Sequence, residues 1–230
     1  MGGDRTRRYD PKRRHRRSIR LKGYDYTQPG AYFVTICTHN RAPLFGRVVD
    51  GDMVLNVFGE MVWEEWFRTA QVRPYVELFS DEFVVMPNHV HGIIWIMGDP
   101  LVGAQRRCAP TKPKPGGITP NNVALGSLGA IIRSFKSAVT RRINEMRDTP
   151  GARVWQRNYY EHIVRSEQAL DLIRQYIIQN PLRWHLDRYN PDRQGTDPLA
   201  HEIWNMIQTP VGAQRRCAPT NGQNGGEGHE

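Results

Sequence analysis

Two histidines, His89 and His91, alternate within the apolar run FVVMPNHVHGIIWIM, which spans residues 83–97. Because alternate side chains of a β-strand face the same side of a sheet, the two imidazoles are expected to project from one surface. Buried histidines need hydrogen bonds or a bound ligand. The pair therefore suits a metal site or a hydrogen-bonded pair in the core, and this fragment alone leaves both interpretations open.

A tyrosine and an amide are expected to share one face of a helix. The segment 167–180, EQALDLIRQYIIQN, has helical spacing, with Ser166 as its N-cap and Pro181 at its end. Tyr176 and Asn180 are four residues apart, so they lie on the same side. A tyrosine in such a position ordinarily packs in the core. Beside two histidines and a basic surface, however, it suits tyrosine-mediated phosphoryl transfer, in which a divalent metal would neutralise the phosphate and orient it.

The charge of the chain indicates a polyanionic partner. It has 230 residues, with 32 Lys and Arg against 23 Asp and Glu, a net charge of +9, and nucleic acid is the first candidate. Residues 1–22 form a basic arm, expected to be flexible and to contact phosphates, although a solvated tail is the alternative. The basic side chains expected to contact DNA are those of Arg13, Arg14, Arg16, Arg17, Arg133, Lys136 and Arg157.

Hydrophobic periodicity predicts one α+β domain over residues 23–190, with an inserted loop at 99–125 and a flexible C-terminal tail at 191–230. Strands are predicted at 31–38, 53–58, 76–85 and 90–97 and within 154–166, and helices at 59–70, 127–147 and 167–180. No run has the length of a membrane span or the character of a signal peptide. The three cysteines follow no metal-binding spacing. A soluble, cytoplasmic protein is expected.

Several separated motifs resemble the single-tyrosine HUH transposases, and among them the REP-associated tyrosine transposases. They are the His89-Val90-His91 element, RSFK at 133–136, WQRNYYEHI at 155–163 and YIIQNPL at 176–182. The resemblance covers residues 20–189. It implies a ferredoxin-like antiparallel sheet with the two histidines on a central strand. It also implies cutting of single-stranded DNA beside hairpins through a 5′-phosphotyrosine, with Mg²⁺ or Mn²⁺, no nucleotide cofactor and a nucleoid-associated location.

The resemblance assigns roles to individual residues. His89, His91 and Asn180 would be metal ligands and Tyr176 the nucleophile. Gln179 is the alternative third ligand, because Pro181 disfavours helical geometry at Asn180, the residue that precedes it. Tyr159 and Tyr160 are the competing nucleophiles, with packing or base stacking as their other role, and His162 would support the site or contact phosphate. Relatives act as monomers or as homodimers, so the oligomeric state stays open.

An identical decamer occurs twice, VGAQRRCAPT at 102–111 and again at 211–220. Repeats that stack into a fold recur in series and at longer periods, so both copies are expected to lie outside the core. The codons GTAGGGGCGCAGCGGCGCTGCGCCCCTAC encode this peptide and are self-complementary, with GTAGGGGCGCAG pairing with CTGCGCCCCTAC. The peptide is therefore interpreted as the translation of a palindromic DNA repeat that was inserted twice into the gene. Duplication of a functionless or protein-binding peptide is the alternative.

Three classes of function remain. The first is a DNA-nicking and strand-transfer enzyme, the second a hairpin-binding protein that does not cut, and the third a zinc-stabilised RNA-binding protein. Four residues with catalytic chemistry favour the first over the second, since a binding protein does not need all of them. The absence of clustered cysteines in the sequence weighs against the third.

Overall fold

The computed structural model describes residues 23–98 and 124–208. The strands are β1 Gly30–Cys37, β2 Gly46–Val49, β3 Asp52–Leu55, β4 Val76–Glu77, β5 Phe83–Met86, β6 His89–Ile96 and β7 Tyr160–Val164. The helices are α1 Val57–Gln71, α2 Leu128–Arg147, α3 Glu167–Gln179 and α4 Pro198–Gln208. Short 3₁₀ turns lie at His39–Arg41, Ser80–Glu82 and Trp184–Leu186.

The main sheet is antiparallel and has the ferredoxin-like strand order. Strand β6 pairs with β1 along its whole length, β1 pairs with β7 on its other side, and β4 and β5 both pair with β6. With α1 following β1 and α2 following β6, the chain repeats strand, helix and strand twice. The predicted α+β fold is therefore confirmed, and the two histidines lie on a central strand.

One face of the sheet packs against α1 and α2. Val34 and Ile36 of β1 and Ile94 of β6 are fully buried there, with the α2 stripe that includes Ile131, Ile132 and Phe135. Gly92 lets α1 approach closely, because a Cβ at this position would lie 2.5 Å from the Trp66 ring. This buried layer holds β6 in place directly beside the histidines.

The opposite face carries the histidines and packs against α3 and α4. Directly paired residues of antiparallel strands share a face, and the register pairs Thr35 with both His91 and Tyr160. A smaller apolar cluster covers this side, formed by Ala31, Phe33, Ile93, Ile173, Tyr176, Ile177 and Ile203. Helix α3, which carries Tyr176 and is called the tyrosine helix below, is thus fixed over β6, the strand that carries the two histidines.

Side-chain caps fix the helix starts. Asn56 accepts from the amides of Phe58 and Gly59 at the start of α1, while Ser127 and Ser166 cap α2 and α3. The predicted serine cap of the tyrosine helix is confirmed. Helix dihedrals continue through Asn180 (φ −59°, ψ −41°) although Pro181 follows, so the expected loss of helical geometry at this residue was wrong.

Other differences from the predictions lie in irregular segments. The hairpin of β2 and β3 turns through Asp50 and Gly51, both at positive φ, and β2 was not predicted. The strand predicted at 76–85 is divided into β4 and β5 by the turn at Ser80–Glu82. Met146, an apolar residue near the end of the helix predicted at 127–147, is 53% exposed. Each element is short or terminal, so its sequence carries little periodicity.

Regular structure continues beyond the boundary predicted at residue 190. Residues 198–208 form α4, whose Ile203 is buried against the tyrosine helix. The basic arm at 1–22, residues 99–123 of the predicted insertion and residues 209–230 lie outside the described part of the chain. Within the described part, no helix combines the length and the apolar character needed to cross a membrane.

Candidate active site

The two histidines converge on one point. Their Nε2 atoms are 3.0 Å apart, and both side chains are buried, with 0% and 2% of their surface exposed. The strand period of two places them on the same face, as predicted. Two imidazole nitrogens that meet at this distance form a site for a proton or a metal ion.

Asn88 determines the tautomer of His89. Its Nδ2 donates to the backbone carbonyls of Arg41 (3.2 Å) and Tyr189 (2.8 Å), so its Oδ1 faces His89 Nδ1 at 2.9 Å. Because Oδ1 can only accept, His89 carries its proton on Nδ1 and presents a lone pair at Nε2. Metal-binding histidines are oriented by the same kind of contact.

His91 is held in a similar way. Its Nδ1 lies 2.8 Å from Thr35 Oγ1, on the neighbouring strand. When Nδ1 donates to this hydroxyl, His91 also directs a lone pair from Nε2 toward that of His89. Two lone pairs at 3.0 Å repel unless a cation lies between them. The donor set therefore fits a divalent metal ion.

Tyr176 reaches the same nitrogen. Its hydroxyl lies 3.2 Å from His91 Nε2, and its ring packs edge-on against Phe33 with centroids 6.4 Å apart. The side chain is 6% exposed. Burial, followed by the charge of Asp187, raises its pKa well above the usual value, so the phenol is protonated at neutral pH.

Two oxygen donors complete the cluster. Asp187 is 2% exposed, and its Oδ2 lies 3.8 Å from His89 Nε2 and accepts from Asn180 Nδ2 at 3.3 Å. Asn180 is 1% exposed, and its Oδ1 is buried without a hydrogen-bond partner. A buried, unpaired amide oxygen is expected to have a ligand. Gln179, the alternative third ligand, has its side-chain oxygen 3.4 Å from Arg183 Nη1 instead.

His89, His91 and Asp187 form a buried group that could hold a metal ion. Burial lowers the pKa of His89 to about 3, and burial and the neighbouring His89 lower that of His91 well below its usual value. Burial also raises the pKa of the Asp187 carboxyl. The neutral imidazoles that result are the form that binds metal.

The site opens into a cavity of about 1180 Å³. Three of the basic side chains expected to contact DNA line this cavity together with His91 and Tyr176, namely those of Arg133, Lys136 and Arg157. Lys136 also has a structural role, because its Nζ donates to the Gln156 carbonyl at 2.6 Å. Burial lowers its pKa to about 8. Arg13, Arg14, Arg16 and Arg17 lie outside the described residues.

The other candidates lie nearby with different contacts. Tyr159 and Tyr160 line the cavity, and Tyr160 packs against Phe33 with ring centroids 6.4 Å apart. His162 is half-buried on β7 opposite Phe33, and burial lowers its pKa to about 4. Among the described tyrosines, Tyr176 has the hydroxyl that is hydrogen-bonded to a histidine of the pair.

Comparison with known proteins identifies relatives of this chain. No protein-family model matches it. A protein of Haemophilus influenzae (strain ATCC 51907 / DSM 11121 / KW20 / Rd), described as uncharacterized, is 40% identical over 190 residues, which are 81% of this chain and 99% of that protein. The chain belongs to the same family as that protein.

Two solved structures are similar to this member of the family at low sequence identity. One is a REP-associated tyrosine transposase bound to a REP hairpin, with 18% identity, a TM-score of 0.46 and coverage of 72% of this chain and 74% of that one. The other is a candidate transposase from Deinococcus radiodurans R1, with 20% identity, a TM-score of 0.33 and coverage of 70% and 95%.

Sequence reasoning missed three residues of the site. Asp187 and Tyr189 follow the tyrosine helix through an irregular turn, and Asn88 precedes the histidines. Tyr189 packs against the His89 ring with centroids 4.7 Å apart. The segment DRYN at 187–190 has no periodicity that could have placed it. The position of Asn88 beside the first histidine was the available signal.

Low pH is expected to destabilise this protein when no metal is bound. The pKa values of His89 and His162 fall from 6.5 to about 3 and about 4 on folding. The unfolded chain therefore binds more protons below pH 6.5, and stability present above that pH is lost as pH falls towards 4. The expected slope is about 1.4 kcal/mol per pH unit for each proton. Urea unfolding with a chelator, from pH 7 to 4, measures it.

The variant His162→Gln provides the control for this pH dependence. It removes one titrating group and leaves the histidine pair in place. We expect a shallower slope between pH 6.5 and 4 than in the unmodified protein. An unfolding free energy that does not change over this range would contradict the prediction.

Proposed function

We propose that the protein is a metal-dependent enzyme that nicks and rejoins single-stranded DNA at palindromic hairpin repeats, with Tyr176 as the nucleophile. The observation that carries the proposal is a contact. The Tyr176 hydroxyl lies 3.2 Å from His91 Nε2, which is itself 3.0 Å from His89 Nε2. A phenol beside a metal-type donor pair, in a cation-lined cavity, suits phosphoryl transfer.

The metal would be held by His89 and His91, with oxygen from Asn180, Asp187 or both. The unpaired Asn180 Oδ1 and the buried Asp187 carboxylate are the donors that hard divalent cations prefer. When bound, Mg²⁺ or Mn²⁺ would supply charge neutralisation at the phosphate and at the leaving oxygen. Asp187 also offsets the positive charge that such an ion brings into a buried site.

The proposed step conserves atoms and charge. The Tyr176 oxygen forms a bond to phosphorus, and the bond from phosphorus to the 3′-oxygen breaks. The phenol loses its proton, and the leaving 3′-oxygen gains one. The products are a 5′-phosphotyrosine and a free 3′-hydroxyl, and strand joining reverses the same exchange with another 3′-hydroxyl.

The repeated decamer supports the hairpin as substrate. Both copies can be encoded by the same self-complementary sequence. Many base pairs of its stem lie at codon positions where the amino acid allows no other nucleotide. If the gene contains this hairpin, translation of the hairpin yields the decamer, and the gene then carries a substrate of its own product. If the natural codons break the stem in both copies, the hairpin loses this support.

The alternative is a protein that binds hairpins without cutting them. It shares the scaffold and the basic cavity, so binding alone does not distinguish the two. The buried phenol at the metal-type site favours cutting, because a binding protein has no use for a nucleophile there. Covalent attachment to DNA is therefore the property to measure.

The test uses the full chain and the single strand GTAGGGGCGCAGCGGCGCTGCGCCCCTAC with flanking nucleotides. We expect Mn²⁺ to produce a DNA adduct that survives denaturation in detergent, together with a free 3′-hydroxyl fragment. A chelator or a fully duplex substrate should prevent both products. A hairpin that is bound but yields no adduct with Mg²⁺ or Mn²⁺ would favour the non-cutting alternative.

A further inference from the structure

A row of planar groups that begins beside His89 lies along the cavity wall. The Tyr189 ring packs on His89 with centroids 4.7 Å apart. The Arg188 guanidinium lies over Tyr189 at 5.4 Å and over Trp204 at 5.3 Å. Trp204 in turn packs on Tyr160 with centroids 5.3 Å apart and planes tilted by 38°. We call these four side chains, Tyr189, Arg188, Trp204 and Tyr160, the planar row.

Three separate segments build the planar row. Tyr160 belongs to the edge strand β7, Arg188 and Tyr189 to the turn after the tyrosine helix, and Trp204 to α4. Burial of Ile203 against the tyrosine helix fixes α4 and therefore its neighbour Trp204. Trp204 is thus positioned by α3, the helix that carries Tyr176.

The planar row stays accessible from the cavity. All four of its side chains line the space that also contains His91 and Tyr176. Trp204 and Tyr160 are half-buried, whereas Arg188 is exposed. An indole whose outer neighbour is an exposed guanidinium can exchange that neighbour for another flat group, because the guanidinium loses little when it moves into water.

The charges around the planar row suit a phosphate chain. The cations of the cavity wall are Arg41, Arg133, Lys136, Arg157, Arg188 and Arg193. The same wall has two acids: Asp197 is compensated by its ion pair with Arg183, and Glu161, next to Tyr160, is only 7% exposed. Single-stranded nucleic acid is bound by this combination of a cationic groove and aromatic platforms.

We infer that Trp204 is a stacking platform for one nucleobase next to the scissile phosphate, and that Arg188 moves from the indole to a backbone phosphate when the base enters. This inference rests on the proposed function and extends it to a subsite of the single strand. Stacking tolerates every base, so the subsite positions the strand rather than reading its sequence. Its effect is on where the phosphate lies relative to Tyr176.

The test is fluorescence of 2-aminopurine placed at successive positions beside the nick site of the hairpin strand. It is done with the full chain and a chelator, so that binding is measured without cutting. We expect quenching at one or two adjacent positions, and loss of that quenching in Trp204→Leu, which keeps an apolar side chain and removes the ring. Trp204→Phe should keep most of it.

Affinity gives a second measurement. Trp204→Leu is expected to raise the dissociation constant about tenfold, in the range of single base-stacking contacts. An abasic nucleotide at the quenched position should weaken binding to the unmodified protein similarly, and should add nothing in Trp204→Leu. The matched control is Trp63→Leu, which changes an exposed indole on α1 outside the cavity and should leave the dissociation constant unchanged.

The outcomes separate this inference from the proposed function. Quenching that persists in Trp204→Leu, or an abasic effect that adds fully to this substitution, would overturn the stacking platform even if DNA adducts form. Loss of quenching in Trp204→Leu supports the platform even if no adduct forms with any metal, and in that case the nicking proposal alone would fail.

Discussion

Replacing Tyr176 with phenylalanine should abolish the covalent DNA adduct. The substitution removes the oxygen that forms the bond to phosphorus, so the nicking rate is expected to fall on the order of 10⁴-fold or more, as for other nucleophile deletions. The ring keeps its contacts with Phe33 and the cluster around Ile173 and Ile177. Loss of the hydrogen bond to His91 should change the unfolding free energy by only about 1 kcal/mol. Adduct formation measured in denaturing gels checks the prediction.

The matched controls are tyrosines elsewhere in the fold. Tyr159→Phe removes the hydroxyl of an alternative nucleophile that lines the same cavity. Tyr75→Phe changes a tyrosine that packs against the core on the other face of the sheet, beside α1 and α2. Both variants should form adducts at the unmodified rate. An adduct that persists in Tyr176→Phe would assign the attack to another tyrosine, and peptide mapping would identify it. Tyr189 then becomes a candidate, because its ring touches His89.

The parts of the site that follow a regular period were predictable from the sequence. The strand period placed His89 and His91 on one face, and their Nε2 atoms meet at 3.0 Å. The helical period placed Tyr176 and Asn180 on one side of α3, and both are buried at the site. In each case a local rule suffices, because the backbone geometry of one element fixes the direction of its side chains.

The remaining parts depend on contacts between distant residues. Asp187 reaches the histidines because the chain turns back after Pro181, and the Asn88 side chain holds that turn through the Tyr189 carbonyl, across 101 residues of sequence. Helix α4 was missed because the predicted domain ended at residue 190, before the helix begins. No local pattern encodes the position of Asp187, since it follows from tertiary hydrogen bonding and burial.

Removing the charge of Asp187 should weaken metal binding by about 10- to 100-fold, the range found when a residue that supports a metal site is lost. In Asp187→Asn the side chain keeps its shape, and its oxygen can still accept the Tyr189 amide hydrogen, a bond of 2.6 Å in the structure. What disappears is the negative charge 3.8 Å from His89 Nε2. Nicking should fall at low Mn²⁺ and recover as Mn²⁺ is raised. Calorimetric titration of the protein with Mn²⁺ measures the dissociation constant directly.

The control for this substitution is Asp197→Asn, which changes another buried acid on the wall of the same cavity. Asp197 is bonded to Arg183, so its loss should lower the unfolding free energy. The Mn²⁺ dissociation constant should change less than in Asp187→Asn, because Asp197 acts on the site only through its charge and is not one of the three residues that could hold the ion. Asp187→Asn should show the reverse pattern, because burying a neutral amide is easier than burying a carboxylate. If Asp187 served only to hold the turn at Tyr189, the asparagine would replace it without loss. Unchanged Mn²⁺ affinity in Asp187→Asn would therefore restrict the oxygen ligands of the site to Asn180.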